Sequence, residues 1–276
     1  MLELLQHWSW GAIAVARPAD LLGLASGSLV GFLLGLIGGG GSVLAVPLLV
    51  YVVGVPSPHI AIGTSAFAVA ASAFANLIGH ARAGNVKWNC AIVFALAGVG
   101  GAMIGSTIGK EIDGQKLLAL FGALMIVIAG AMFTKKDSAG NPGVVLNWAS
   151  AARLTPVLLA YGVGVGALSG FFGIGGGFLV VPGLIAATGM SLLSAVGSSL
   201  VSVTAFGLTT ALNYAVSGLV DWRMAAIFIA GGILGGFFGA RAAKALANKK
   251  QLFAKVFAVI VASVGLFVAA KGIGSP

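Results

Sequence analysis

Two runs of glycine interrupt long apolar stretches of this 276-residue chain, one within residues 35–47 (GLIGGGGSVLAVP) and one within 170–182 (GFFGIGGGFLVVP). Where a helix breaks, backbone N–H groups lose their partner four residues earlier and point at whatever fills the gap. An anion suits that gap, because it accepts several hydrogen bonds and is favoured by the positive end of the helix that follows. The runs therefore predict two helix breaks whose backbone binds an anion.

Hydroxyl pairs at matching positions after the two runs are candidates for the same site. Thr64-Ser65 and Ser198-Ser199 open long apolar helices, where they can donate hydrogen bonds to substrate oxygens. The alternative, which stays open, is that each hydroxyl bonds a carbonyl of its own helix. The predicted substrate-binding residues are Gly38, Gly39, Gly40, Gly41, Ser42, Thr64, Ser65, Gly173, Gly175, Gly176, Gly177, Ser198 and Ser199.

A second polar group is predicted at the mouth of a pore. Asn76, His80 and Arg82 are close to helical spacing at the end of one apolar segment, and Asn213 lies near the corresponding point of the other half. Arg82 can gather anions there, although a polar belt at the cytoplasmic membrane interface explains the same residues.

The elements that position these residues occur twice along the chain. With an offset of 135, seven of the thirteen positions in the two glycine segments are identical, and with an offset of 134 the match continues through most of each half. The predicted organisation is a transmembrane repeat over 20–135, a cytoplasmic linker over 136–153 and a second transmembrane repeat over 154–271. Other glycines, spaced by four, favour helix packing instead: Gly27, Gly31, Gly101, Gly105, Gly109, Gly231, Gly235 and Gly239.

The composition indicates a polytopic membrane protein, because 59% of the residues are hydrophobic and only 8% are charged, whereas a soluble domain is about 25% charged. The net charge of +9 is scattered through short loops, which argues against nucleic acid as a partner. A single cysteine, Cys90, excludes an internal disulfide, and three dispersed histidines predict no metal site. The sequence has no catalytic pattern, so neither an enzyme nor a cofactor is expected.

A spanning helix needs about 20 apolar residues, and three segments in each half reach that length. The two pieces that flank each glycine run, roughly 17 and 13 residues long, are marginal or short. The expected fold is an all-α polytopic membrane protein with two inverted repeats, each containing a glycine-broken re-entrant segment and three spanning helices. Its expected location is the inner (plasma) membrane of the cell.

The charges in the loops give an orientation. If each glycine-broken segment enters and leaves on one side, ten of the 15 Lys and Arg residues lie on the linker side and five on the other. Positive charge marks the cytoplasmic side, so the linker is cytoplasmic, both termini are outside the cytoplasm and the second repeat is inverted. If each broken segment crosses once, the division is eight to seven and indicates no orientation.

No Asp or Glu lies in the middle of a predicted span, where proton relays usually place one. A monoanion that leaves an inside-negative cell moves with a field worth about 2.3 kcal/mol per 100 mV, so an exporter needs no coupling carboxylate. Export of an anion is therefore favoured, with anion import, an anion-selective channel, or a non-transporting membrane scaffold or assembly factor as alternatives. The expected partners are a small anionic substrate and the lipid bilayer, with a homodimer as a further candidate.

The doubled glycine segments, together with IAIGTS and SAVGSS downstream and GNVKW and GLVDW before the next helix, resemble the TauE/SafE sulfite-exporter family of membrane permeases. The resemblance covers about 20–135 and 155–271. It implies transport of small sulfur oxyanions or sulfonates, such as sulfite or sulfoacetate, usually as export.

Overall fold

The computed structural model describes residues 17–37, 39–134, 146, 148–245 and 250–274. These residues form a succession of helices. A 3-10 turn (Gly39–Leu44) precedes α2 and a π turn (Leu48–Val53) follows it. The α-helices are α1 (Pro18–Ile37), α2 (Ala45–Pro47), α3 (Pro58–Arg82), α4 (Trp88–Glu111), α5 (Gly114–Thr134), α6 (Trp148–Phe172), α7 (Gly177–Thr188), α8 (Leu192–Val216), α9 (Trp222–Ala245) and α10 (Lys250–Gly274).

Seven helices in the described ranges are long and apolar enough to cross a membrane. Their outer faces carry exposed aliphatic side chains, such as Leu96 at 70% and Val127 at 68% exposure. Apolar surface of this extent is typical of contact with lipid. The all-α polytopic membrane fold expected from the sequence is confirmed.

The first helix of each half is longer than the sequence indicates. α1 has 20 residues and α6 has 25, against about 17 estimated for each. α6 begins at Trp148, so residues 148–153, expected in the linker, form its first turns. Alanine and arginine favour helix in that stretch, although its serine and arginine give it the polarity of a loop.

Matching residues begin and end helices in the two halves. Ser57 and Ser191 begin α3 and α8, and each hydroxyl accepts a hydrogen bond from the backbone N–H three residues later, at 3.5 and 3.4 Å. Gly54 and Gly189 end the short segments with φ of 83° and 71°, a left-handed conformation that glycine adopts at little cost. The duplication in sequence is therefore also a duplication of local geometry.

The equivalent helices α3 and α8 pack against each other in opposite directions. Gly63, near the start of α3, lies against Tyr214 near the end of α8, while Gly207 in the middle of α8 lies against Ala66. These two helices are the most deeply buried of the long spans, because 67% and 56% of the residues in an apolar 18-residue stretch of each lie inside the protein. The centre of the protein is thus built from one helix of each half.

Glycine stripes join the first helix of each half to the fourth helix of the other half, and here the helices run in the same direction. Gly31 in α1 lies against the backbone of Gly232 in α9, and Gly166 in α6 lies against Gly98 in α4. A Cβ at either position would overlap a carbonyl oxygen. The packing role predicted for glycines spaced by four is confirmed at Gly27, Gly31, Gly101, Gly105, Gly109, Gly231, Gly235 and Gly239.

Candidate functional site

Both glycine runs break a helix, as the sequence predicts. α1 ends at Ile37 and the chain continues as a 3-10 turn from Gly39, whereas α6 ends at Phe172 and α7 begins at Gly177. Gly38 lies outside the described residues. The 3-10 turn contacts α7, so the two broken segments meet inside the protein.

The second break is a left-handed turn held between the two halves. Gly173, Gly175 and Gly176 have φ of 66°, 62° and 70°. A Cβ on Gly175 would lie 3.1 Å from Val69 Cγ1 and 3.5 Å from Val203 Cγ1, which are equivalent residues of α3 and α8. A larger residue there would need both a left-handed backbone and a shift of Val69.

The start of α7 presents N–H groups that no side chain caps. The Gly176 carbonyl accepts hydrogen bonds from the N–H groups of Leu179 and Val180, at 2.9 and 2.8 Å, but glycine has no side-chain oxygen for the first turn. The N–H groups of Gly177 and Phe178 precede these bonds and have no partner inside the helix. Both residues are buried, and a buried N–H needs an acceptor. This helix start is therefore suited to an anion.

Ser169 on α6 and Ser202 on α8 are binding candidates that the sequence patterns do not reveal. Ser169 Oγ lies 2.6 Å from the position that a Cβ of Gly176 would take. Both serines are fully buried, and neither hydroxyl has a hydrogen-bond partner among the described residues. Their equivalents in the first half are Leu34 and Ala68. A search for differences between the repeats, rather than identities, could have found them.

Thr64 and Ser198 connect the repeats. The Thr64 hydroxyl accepts a hydrogen bond from the Asp221 backbone N–H at 2.9 Å, and the Ser198 hydroxyl accepts one from the Lys87 backbone N–H at 2.8 Å. Asp221 and Lys87 are themselves equivalent and directly precede α9 and α4. Each hydroxyl thus holds the start of a helix in the other half and keeps one hydrogen with which to donate.

Ser65 and Ser199 form hydrogen bonds within their own helices. Ser65 Oγ donates to the Ile62 carbonyl at 2.9 Å, and Ser199 Oγ donates to the Val196 carbonyl at 2.8 Å. This is the alternative that the sequence left open. Ser65 Oγ also lies 3.5 Å from the Gly173 carbonyl oxygen, so α3 of the first half reaches the break in the second.

The first glycine run packs against α1, the helix that precedes it in the chain. Gly41 is buried against Leu34 and the Val30 carbonyl, and Ser42 is fully buried. For Gly39 and Gly40 the structure describes the backbone of the 3-10 turn. The 3-10 turn that contains these residues also contacts α7, which begins at Gly177.

The four pore-mouth candidates lie at two opposite ends of the protein. Asn76, His80 and Arg82 lie on the last turns of α3, where Asn76 packs against Gly236 of α9. Asn213 lies near the end of α8, which runs antiparallel to α3, and donates hydrogen bonds to side chains of α4. The structure therefore does not bring Asn213 together with the other three.

A polytopic helical protein whose two halves interlock around facing helix breaks has the architecture of a membrane transporter. The model of the family described as Sulfite exporter TauE/SafE matches residues 23–268, and the chain belongs to this family. It is 52% identical over 245 residues to a "Probable membrane transporter protein" of Xylella fastidiosa (strain 9a5c), covering 89% of this chain and 93% of that protein.

More distant relatives have the same general description. "Probable membrane transporter protein YunE" of Bacillus subtilis is 28% identical, with 80% of this chain and 85% of that protein covered. A "Probable membrane transporter protein" of Haemophilus influenzae is 31% identical, with 72% of this chain and 74% of that protein covered. No solved structure matches this chain.

Proposed function

We propose that this transporter exports a small sulfur-containing or organosulfonate anion across the inner membrane by alternating access. The observation that carries the proposal is the second helix break. There the uncapped N–H groups of Gly177 and Phe178 and the unpartnered hydroxyl of Ser169 are buried together. These donors can hold an anion by hydrogen bonds, at the positive end of α7. The family name supports sulfite or a related anion, and supports export.

The two repeats are inverted in the membrane under this proposal. The opposite directions of α3 and α8 support it, because equivalent helices of inverted repeats cross the bilayer in opposite senses. Equivalent helices α5 and α10 also run antiparallel, since Gly272 near the end of α10 lies against Ala119 near the start of α5. The loop charges, ten against five, support a cytoplasmic linker with both termini outside the cytoplasm.

Access to the site requires movement of one repeat against the other. Ser42, Thr64, Ser65, Ser198 and Ser199 all have 0% exposure, so the described conformation is closed around them. The second break contacts α3 of the first half and α8 of the second half, and a small rotation at this contact would open the site toward one side. This is the alternating-access movement typical of repeat-built transporters.

The membrane potential is sufficient to drive such export. At 100 mV, one negative charge that leaves the cell gains about 2.3 kcal/mol, enough to sustain roughly a fiftyfold outward gradient. A uniporter of this kind has no need of a titratable carboxylate in its spans. Import of the same anion would need a coupled ion.

Anion flux tests the proposal directly. The purified full chain is reconstituted into liposomes at a set potential and assayed with sulfite, thiosulfate, sulfoacetate, taurine and sulfate. We expect flux of one or more sulfur anions that follows the potential. Flux that ignores the potential and requires a proton or sodium gradient would reject uniport, and the absence of flux for every anion would reject the transporter proposal.

The alternatives predict different outcomes in the same experiment. An anion-selective channel would conduct well above the turnover of a carrier, and an importer would be active only with a coupling gradient. A non-transporting scaffold would produce no flux and would tolerate bulky residues at Gly40 and Gly175.

A further inference from the structure

Lys110, near the end of α4, is a half-buried cation held between the two repeats. Its Nζ donates hydrogen bonds to the carbonyl and side-chain oxygens of Asn213, at 3.1 and 2.9 Å, and to Ser217 Oγ at 2.9 Å. All three acceptors are neutral. The ion pair found among the described residues, Arg223–Asp20, does not include Lys110. The ammonium charge is therefore not balanced by a carboxylate in the part of the chain that the structure describes.

Asn213 is fixed so that its amide oxygen faces this ammonium. Its Nδ2 donates to Ser106 Oγ at 2.6 Å and to Thr107 Oγ1 at 3.0 Å, both on α4. The amide group can accept only through its oxygen, and that oxygen is used on Lys110. These hydrogen bonds therefore hold the Lys110 ammonium in a defined position before a ligand binds.

Two groups near this cluster have no hydrogen-bond partner among the described residues: the hydroxyl of Tyr214, whose ring neighbours the ammonium, and Nδ1 of His59, whose ring neighbours Tyr214. Tyr214 is fully buried with a free hydroxyl, and Nδ1 of His59 is also buried and unpaired. Lys110 Nζ lies 6.0 Å from the centre of the Tyr214 ring. The centres of the His59 and Tyr214 rings are 6.3 Å apart. A buried hydroxyl without an acceptor is costly, so Tyr214 is prepared to donate to a ligand.

The sequence repeats the lysine of this cluster but not its partners. Lys244 in the second half is equivalent to Lys110. The positions equivalent to Ser106, Asn213 and Ser217 are Ala240, Gly79 and Ala83. A contact needed only for the shared fold would be expected in both halves, as it is for Thr64 and Ser198.

We propose that Lys110, Asn213, Ser217 and Tyr214 form an anion-binding site at the mouth of the transport pathway, at the end where α3 begins and α8 ends. The proposal rests on the proposed function and adds a second site to it. Its ligand is a small oxyanion with sulfite or sulfonate chemistry, which replaces the neutral oxygens of Asn213 and Ser217 on the ammonium and accepts from the Tyr214 hydroxyl. An oxyanion adds a charge–charge attraction to the ammonium that the neutral oxygens of Asn213 and Ser217 do not provide.

Binding at this site would also release a contact between the repeats. The hydrogen bonds of Lys110 to α8 join α4 of the first half to the second half. An anion that takes over the ammonium weakens that connection at this end only. In the proposed orientation this end faces away from the cytoplasm, so an exported anion that reaches the Lys110 site favours the opening of the mouth through which it leaves.

Sulfite flux and sulfite-dependent thermal stability of the purified full chain test this site. Lys110→Gln should raise the KM about tenfold for sulfite supplied on the face that carries the Lys110 site, and it should reduce the shift in Tm that sulfite produces. Lys116→Gln is the matched control, because Lys116 is an exposed lysine at the start of α5 with the same charge. We expect its KM to stay within about twofold, and Lys110→Arg to recover part of the loss.

The outcomes separate this site from the proposed function. Sulfite flux in the parent chain with equal KM values for Lys110→Gln and Lys116→Gln would overturn the Lys110 site alone, whereas absence of flux in the parent would overturn the transport of sulfite. If Lys110→Gln does not fold, the same two measurements on Tyr214→Phe test the site, since this substitution removes only the hydroxyl. An unchanged KM and an unchanged sulfite-dependent shift in Tyr214→Phe would then reject the proposal.

Discussion

The hydroxyl oxygen of Thr64 accepts a hydrogen bond from the backbone N–H of Asp221, 157 residues later, at 2.9 Å. The same bond recurs in the other half, between Ser198 and Lys87 at 2.8 Å. Each repeat therefore holds the start of a helix in its counterpart. Thr64 and Ser198, which the sequence predicts as substrate ligands, therefore join the two repeats.

Ser198→Ala should lower the free energy of unfolding by about 1 kcal/mol, because the Lys87 N–H loses its acceptor. Ser198→Thr retains the hydroxyl and serves as the control. Thermal unfolding in detergent measures the effect. An unchanged Tm combined with a large rise in the KM of transport would instead assign the hydroxyl to the substrate.

Gly175→Ala should impair transport more than Gly189→Ala, although both introduce a side chain at positive φ. Each substitution costs about 1–2 kcal/mol in the backbone. Gly189 has open space around it, whereas a Cβ on Gly175 meets Val69 at 3.1 Å and disturbs the second break. We expect roughly a tenfold or larger loss of flux for Gly175→Ala alone. Equal flux in the two variants would contradict a role of this break in transport.

Gly31→Ala and Gly100→Ala should change stability in opposite directions. Alanine is favoured over glycine in a helix by about 1 kcal/mol, and Gly100 has open space for a Cβ. At Gly31 the same Cβ would overlap the Gly232 carbonyl, so α1 and α9 must separate. Unfolding in detergent should therefore show a raised Tm for Gly100→Ala and a lowered one for Gly31→Ala. Two similar shifts would mean that α1 and α9 do not pack through these glycines.

Ser169→Ala should raise the KM for the transported anion about tenfold without lowering Tm. Removal of a buried hydroxyl that has no partner among the described residues relieves a desolvation cost. Ser28→Ala is the control, because the Ser28 hydroxyl donates to the Leu24 carbonyl of its own helix. A lowered Tm with unchanged KM for Ser169→Ala would show that the hydroxyl supports the fold instead.

A reporter that is active only outside the cytoplasm should be active when fused to the C-terminus, and inactive when inserted in the 136–147 part of the linker. The inverted arrangement requires this pair of results. Fluorescence from a cytoplasm-specific reporter at the C-terminus would reject the proposed orientation.

The helix breaks are predictable from sequence because helix packing, the other common role of glycine in an apolar segment, does not require consecutive glycines. Gly173, Gly175 and Gly176 indeed adopt the left-handed backbone that other residues avoid. The length of α6 is harder to predict, because the turns that begin at Trp148 are polar enough to resemble a loop. Hydropathy measures the preference for lipid and carries little information about helix in the polar flanks.

The candidate site is predictable only in part. Identity between the repeats draws attention to Thr64 and Ser198, but shared positions also preserve contacts of the shared fold. Ser169 has no signal as an identity between the repeats, and only its difference from Leu34 at the equivalent position could mark it. The bond between Lys110 and Asn213 spans 103 residues, and only tertiary packing reveals it.

The exchange of helices along the glycine stripes has a consequence for the origin of the chain. Gly31 of the first half packs on α9 of the second, and Gly166 of the second half packs on α4 of the first. Neither half can complete its own interior alone. An ancestral half-length protein could have formed the same contacts with a second copy, provided that the two copies were inserted in opposite orientations. In a single chain the two halves are free to differ, as they do with serine at position 169 and leucine at its counterpart, position 34.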